Sequence, residues 1–423
     1  MPNDRRPMLL SDNAVSRVED DDFGFRGHAE ILCDAIEATT QLPLTIGIFG
    51  PWGSGKSSFM NICRDLLAKR GLSTVTFNPW KYDAKEQIWH ALIQTVLTEI
   101  IQTAGDETQR RGADIAKKLS LTATWLLARS TTPILTAGMV SGSDLEAARE
   151  HWKEQGFERY RHVNHFEEDF AEAVRAYTRG GRLVVFVDDL DRCTGYAAVE
   201  ALDALKLFLG ASSCVFVLAM DQDVIAAAAA ERLNADEIRG RQYLEKLIHF
   251  PYHLPVVRFE TVYQHLRKAV PEPLDRDAAL WRLVESAFGE NPRRMRRFVS
   301  ALNLTAATLR LHSQPTRERL MHAAILLALR LQHPAFFALI QQQPETWERM
   351  DAAARGNRSA MHQDEVDLAE RDPSLLRFLE TVSPGSRDGC EFPPIPTVDQ
   401  IQVVTKVLAV TGGATVPPDA DGR

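Results

Sequence analysis

The chain is poor in cysteine. Its five cysteines, Cys33, Cys63, Cys193, Cys214 and Cys390, are scattered with no C-x-x-C pair and no Cys/His spacing. That pattern excludes a zinc-ribbon type of metal site and a disulfide framework, and it fits a reducing compartment. An excess of positive charge is also missing: 49 Lys and Arg stand against 57 Asp and Glu, a net charge of −8. No global electrostatic pull toward nucleic acid follows, and only a local basic patch remains open. Met1 to Asp22 carries too much charge for a secretory signal. Long apolar runs are nearly absent as well. The one stretch near the length of a bilayer span, Leu119 to Val140, has Arg129 near its centre, Pro133 as an interruption and several threonines. It reads either as a span or as a helical hairpin in solution or at a membrane surface, and the composition favours the hairpin. The rest is that of a folded globular chain of two or three structural units, with 45% hydrophobic and 25% charged residues.

The chemistry begins at Gly50-Pro51-Trp52-Gly53-Ser54-Gly55-Lys56-Ser57, which has the form G-x-x-x-x-G-K-[ST]. Binding phosphate requires a backbone that can wrap oxygens with N–H donors, a cation, and a hydroxyl for the metal. Gly53 and Gly55 permit the turns, Lys56 can reach the β- and γ-phosphates, and Ser57 can hold Mg²⁺. Leu44 to Phe49 before the loop is an apolar, β-branched strand. Ser58 to Lys69 after it is a helix whose N-terminus faces the phosphates. Gly50 to Ser58 is therefore the expected cradle for ATP.

The complementary half is Leu183-Val184-Val185-Phe186-Val187 followed by Asp188-Asp189-Leu190-Asp191-Arg192. An unbroken apolar run suits a parallel strand covered on both faces. Ligands of such sheets sit at the carboxyl ends of the strands, which puts Asp188 on the edge that carries the phosphate loop. Asp188 can hold Mg²⁺ there, and Asp189 can orient or deprotonate the attacking water. The plainer alternative is a polar turn after a buried strand.

Ser73 to Phe77, Cys214 to Ala219 and Leu247 to Leu254 read as three further strands, with helices over Ala84 to Gln102, Tyr196 to Leu209 and Val224 to Leu233. Asp221 falls just past its strand, again on the ligand edge. The pattern predicts an α/β three-layer sandwich around a parallel sheet. Thr103 to Arg161 is too long for a connection and reads as a helical insertion. The expected organisation is a core over 1–258 with an insertion at about 103–161, a helical lid region over 259–345, and a partly irregular segment over 346–423 with one helix and a disordered tail. In the lid, Asn291-Pro292 starts a helix that opens Arg293-Arg294-Met295-Arg296-Arg297. These cations read as a solvated face, as sensor arginines touching the γ-phosphate (Arg294 and Arg296 foremost), or as a nucleic-acid patch.

The ordered blocks resemble the KAP family of P-loop NTPases. The residues that carry the resemblance are Ile46 to Ser58, Phe77-Asn78-Pro79-Trp80-Lys81-Tyr82-Asp83 and Val187 to Cys193, then Val217 to Asp221, Tyr243 to Leu247 and Asn291 to Arg297. Together they cover about residues 20 to 310. The resemblance implies a core of the additional-strand, catalytic-glutamate type with a C-terminal helical segment. It also implies that members often carry membrane segments inserted between the phosphate loop and the acidic strand. This chain has one weak apolar stretch there instead of strong pairs. An arginine after the acidic block is a family feature. Arg192 occupies that place, as a finger on a neighbouring subunit's nucleotide or as an ion-pair partner of Asp188 or Asp191. Trp80 is expected as a core plug under the sheet edge, with Lys81 and Asp83 left open.

No Asn-Lys-x-Asp base reader follows Ala219 or Leu254, which argues against a GTPase. The expectations are an ATPase with ATP and Mg²⁺ as cofactors, forming a nucleotide-dependent homo-oligomer that drives a conformational or assembly switch in phage exclusion or signalling through an unidentified protein partner. The location expected is the cytoplasm or the inner face of a membrane. The alternative of a different class is a nucleotide-gated interaction scaffold with little turnover.

Overall fold

The structure is a computed structural model that describes residues 9–82, 88–130, 163–206, 213–289, 291–311, 314–387 and 390–411. The chain divides into two units, Ala14–Pro255 on one side and Met1–Asn13 with Val256–Arg423 on the other.

The first unit is built on a parallel sheet of β1 (Leu44–Phe49), β2 (Ser73–Phe77), β3 (Leu183–Val187), β4 (Cys214–Met220) and β5 (Phe250–His253), in the order β2-β3-β4-β1-β5. β4 lies between the strand that feeds the phosphate loop and the strand that ends in acid, so the sheet has the additional strand that the family resemblance implies. Every residue of β3 and β4 is buried, as helices on both faces require. Alternation sorts the side chains: Leu183, Val185 and Val187 of β3 share one core with Phe216, Leu218 and Met220 of β4. That core is closed by Leu92, Val96 and Ile100 of α3 (Ile88–Thr103) and by Ala198 and Leu202 of α6 (Gly195–Lys206). The strand expected to run from Leu247 to Leu254 is shorter because α8 (Glu237–Leu247) extends up to it. Pro251 is tolerated in β5 because among the described residues this strand pairs with β1 alone, at the edge.

The remaining helices of this unit are α1 (Arg26–Ala38), α2 (Lys56–Lys69), α4 (Glu107–Ser130), α5 (Val163–Tyr177) and α7 (Gln222–Arg232). The insertion is part of the core at its base. Ala116 and Leu119 of α4 and Phe170 and Val174 of α5 are buried in the cluster described above. Ser120 Oγ donates to Gln94 Oε1 of α3 at 2.6 Å. Of the apolar stretch Leu119 to Val140, the part up to Ser130 continues α4 and the rest lies outside the described residues. Among the described residues no helix is long and apolar enough to cross a membrane.

The second unit is helical. It contains α9 (Phe259–Leu266), α10 (Ala278–Phe288), α11 (Pro292–Arg310), α12 (Arg317–Gln332), α13 (Pro334–Gln342), α14 (Thr346–Ala354), α15 (Gln363–Arg371), α16 (Pro373–Val382), a β6–β7 hairpin (Gly385–Arg387 with Cys390–Phe392) and α17 (Val398–Thr411). The segment before Ala14 belongs here: the Leu10 N–H donates to Ser300 Oγ and Asp12 pairs with Arg297 at 2.6 Å. The stretch beyond residue 345, expected to be partly irregular with one helix, carries four α-helices and a hairpin among its described residues. Its polarity conceals short amphipathic turns. Trp347, Met350 and Ala353 on α14, and Leu375, Phe378, Leu379 and Val382 on α16, recur at helical spacing and are buried. The expected disordered tail lies outside the described residues.

Candidate nucleotide site

The β1–β4 pairing sets Phe49 beside Met220, and the Gly50 N–H donates to the Met220 carbonyl at 3.4 Å. The loop therefore leaves the sheet at its carboxyl edge, level with the end of the acidic strand. Gly53 and Gly55 take φ of 85° and 103°, the left-handed region that an L side chain resists. At Gly55 a Cβ would also stand 2.8 Å from the Phe25 ring. The loop shape thus depends on glycine twice over. It delivers Lys56 and Ser57 to the first turn of α2, where the unpaired N–H groups and the helix dipole favour an anion.

Lys56 is buried, with 8% of its side chain exposed. Its ammonium donates to the Gly50 carbonyl at 2.9 Å and the Pro51 carbonyl at 3.3 Å, and it is ion-paired with Asp191 Oδ2 at 2.9 Å. Ser54 Oγ is buried within the loop and has no hydrogen-bond partner among the described residues. An orphaned hydroxyl in a glycine-shaped cradle at a helix N-terminus fits a phosphate group. Pro51 and Trp52 are exposed on the loop. Ser58 faces away: its Oγ accepts the Val15 N–H and helps fasten the N-terminal segment across α2.

Asp188 is half-buried. Burial pushes its carboxyl above the usual carboxylate range, against the pull of the Ser57 hydroxyl that bonds it; the charges of Asp189 and Asp191 add to the rise. Ser57 and Asp188 are thereby a hydroxyl–carboxylate pair of the kind that holds Mg²⁺, and a divalent cation would relieve the crowding of three carboxylates. Asp189 has φ of 60°, and both of its carboxylate oxygens are engaged. Asn78 Nδ2 donates to Oδ2 at 2.7 Å and Arg192 Nε lies 2.7 Å from Oδ1. The Arg192 guanidinium lies over the Trp80 ring, 5.5 Å from its centroid.

Two readings differ from those made on the sequence. Trp80 is not a core plug, for it is 53% exposed; the turn Pro79–Lys81 that carries it projects past β2, with the Trp80 N–H held by the Asn78 side chain. The ion-pair partner of Arg192 is Asp189, not Asp188 or Asp191, because the left-handed turn at Asp189 folds its carboxylate back toward the helical turn Leu190–Arg192. Two residues were missed. Asn78 lies within a quoted block without a role, and Asp191 is the third acid of the run. Asp221 reaches the same edge and caps α7, accepting the Asp223 N–H at 3.2 Å. Arg294 and Arg296 lie on the first turns of α11, in the second unit; Arg294 is exposed and Arg296 half-buried. Lys81 is exposed, and Asp83 lies outside the described residues.

Sheet order, phosphate loop and acidic strand end together define a P-loop NTPase domain. Residues 25–309, more than half of the chain, match the KAP family P-loop domain. The chain belongs to that family. It is 25% identical over 295 residues to the Phage T7 exclusion protein of Escherichia coli (strain K12), covering 62% of this chain and 38% of that one. It is also 27% identical over 89 residues to the Kinase D-interacting substrate of 220 kDa of Rattus norvegicus, covering 20% and 5%. The chain thus spans well under half the length of these curated relatives. Among solved structures, the Aeropyrum pernix ORC2 protein (ADPNP-ADP complexes) aligns over 96% of this chain and 98% of that one, at 14% identity and a TM-score of 0.36.

Proposed function

We propose that the chain is an ATPase, binding ATP with Mg²⁺ and hydrolysing it to ADP and phosphate to drive a conformational or assembly switch. The observation that carries this is the Ser57–Asp188 pair beside a buried Lys56 at the mouth of the glycine loop. The groups that would cradle a phosphate, neutralise it and hold a metal lie near one another on one sheet edge. The bound metal would neutralise charge building on the phosphates. For the chain's own part, loop N–H groups and Lys56 bind and orient the phosphates, Ser57 and Asp188 hold the metal, and Asp189 takes a proton from the attacking water. Arginine from Arg192, Arg294 or Arg296 completes the γ-phosphate site. Likeness to a phage exclusion protein supports a role in phage exclusion, with an unidentified protein partner. The proposed place of action is the cytoplasm or the inner face of the membrane. Purified protein should release phosphate from ATP in the presence of Mg²⁺, and Lys56→Ala should not; equal release by both would overturn the reading.

A second reading is favoured by a specific observation. With both oxygens of Asp189 engaged by Asn78 and Arg192, the base is held out of use, as befits a nucleotide-gated scaffold that turns over slowly until a partner acts. ATP binding at full affinity with phosphate release that rises only when a partner is added would select it.

A further inference from the structure

We infer that Asp191 is an exchangeable counter-anion for Lys56, holding the P-loop lysine in the nucleotide-free protein and yielding it to the phosphates when nucleotide binds. This rests on the proposed nucleotide site and assigns Asp191 a positioning role in it. An ammonium has three donors and no more. Lys56 donates to the Gly50 and Pro51 carbonyls and is ion-paired with Asp191 Oδ2 at 2.9 Å, so an incoming phosphate competes with that carboxylate for the cation. The two carbonyls belong to the loop itself and fix its shape. Asp191 comes from the turn after β3 and is the partner that carries an anion's charge where an anionic ligand would sit.

Both side chains of the pair are 8% exposed. In so buried a setting, removing one member leaves the other uncompensated. Nucleotide-free protein is therefore the state that the pair stabilises, and any binding of ATP works against it. By linkage, whatever Asp191 adds to the empty state it subtracts from apparent affinity. Once displaced, its carboxylate stands near Asp188 and Asp189 and opposes the incoming phosphates, which has the same sign. Asp191 differs here from Asp189, whose partners Asn78 and Arg192 lie outside the phosphate loop.

The test is the affinity for Mg-ATP by titration calorimetry together with the thermal midpoint without nucleotide. Asp191→Asn should bind Mg-ATP about tenfold or more tightly than wild type while unfolding at a lower temperature when empty. Asp191→Glu, which restores a carboxylate, should return affinity toward the wild-type value; it also serves if the asparagine variant does not fold. Wild type that binds ATP beside an Asp191→Asn variant that binds equally or less well would overturn the inference. Failure of the nucleotide reading shows differently, as no ATP binding by wild type. The pair itself is then judged without ligand, by a double-mutant cycle of Asp191→Asn and Lys56→Met on the empty protein. Additive midpoint shifts there would overturn the inference too.

Discussion

Asn78 at the end of β2 donates from Nδ2 to Asp189 Oδ2 at 2.7 Å, across 111 positions of sequence. The parallel pairing of Phe77 with Val187 is what makes this possible, since it brings the two strand ends level. With one oxygen held by the Asn78 amide and the other by Arg192, this carboxylate has both oxygens occupied and must give up a partner before it can take a proton from water. Asn78→Ala should therefore raise the basal rate of phosphate release several-fold, with Mg-ATP affinity within about threefold of wild type. A fall in rate as large as that from losing Asp189 would assign Asn78 to orienting the base.

Asp189→Asn keeps size and shape but cannot take a proton. It should retain Mg-ATP binding and lose about a hundredfold or more in turnover, the scale of a general base. Asp188→Asn should instead weaken the dependence on Mg²⁺. Single-turnover phosphate release with a parallel binding titration separates the two. If the asparagine at 188 traps ATP and the one at 189 changes nothing, the roles are exchanged.

The raised position of Asp188 gives a pH dependence with a definite sign. Burial holds its proton to higher pH than for an ordinary carboxylate, so acidification removes the metal-binding charge early. Metal-free protein should lose stability as pH rises from the usual carboxylate range through the raised value, because the folded state binds the proton more tightly than the unfolded chain. Mg²⁺ affinity should rise over that same interval. In Asp188→Asn both trends should vanish, as read by thermal midpoints and Mg²⁺ titrations across mildly acidic pH.

The strands and the loop were legible because their signals are local. Leu44–Phe49, Ser73–Phe77 and Leu183–Val187 have the ends that their apolar runs imply, and Lys56, Ser57 and Asp188 follow from spacing and strand order. What spacing does not carry is which carboxylate meets which cation. Asp189 turns back to Arg192 and Asp191 reaches Lys56 because one residue, Asp189, adopts a left-handed backbone within an acidic run. Trp80 was misplaced for a similar reason, since an apolar ring beside a cation can serve as its platform in solvent as well as fill a core. The helices beyond residue 345 were obscured by overall polarity, although Trp347, Met350 and Ala353 already show the helical period.

Arginine supply to the γ-phosphate leads to the last prediction. An isolated P-loop site is slow, and an added arginine can accelerate phosphoryl transfer by several orders of magnitude. Self-association driven by ATP is one way to bring such a group, and light scattering should show a larger species with a non-hydrolysable ATP analogue than with ADP. Arg192, however, is already committed within its own chain, paired with Asp189 and backed by Trp80. An arginine tied to its own site's base is poorly disposed to reach a neighbour's nucleotide. Mixing Arg192→Ala subunits, which keep an intact base, with Asp189→Asn subunits, which keep the arginine, should therefore leave activity at the sum of the separate variants. Activity above that sum would mean that Arg192 crosses between subunits. With no gain on mixing, Arg294→Ala and Arg296→Ala should each be assayed for turnover at saturating ATP. At least one of them should lower the rate tenfold or more while leaving Asp189 and its partners intact.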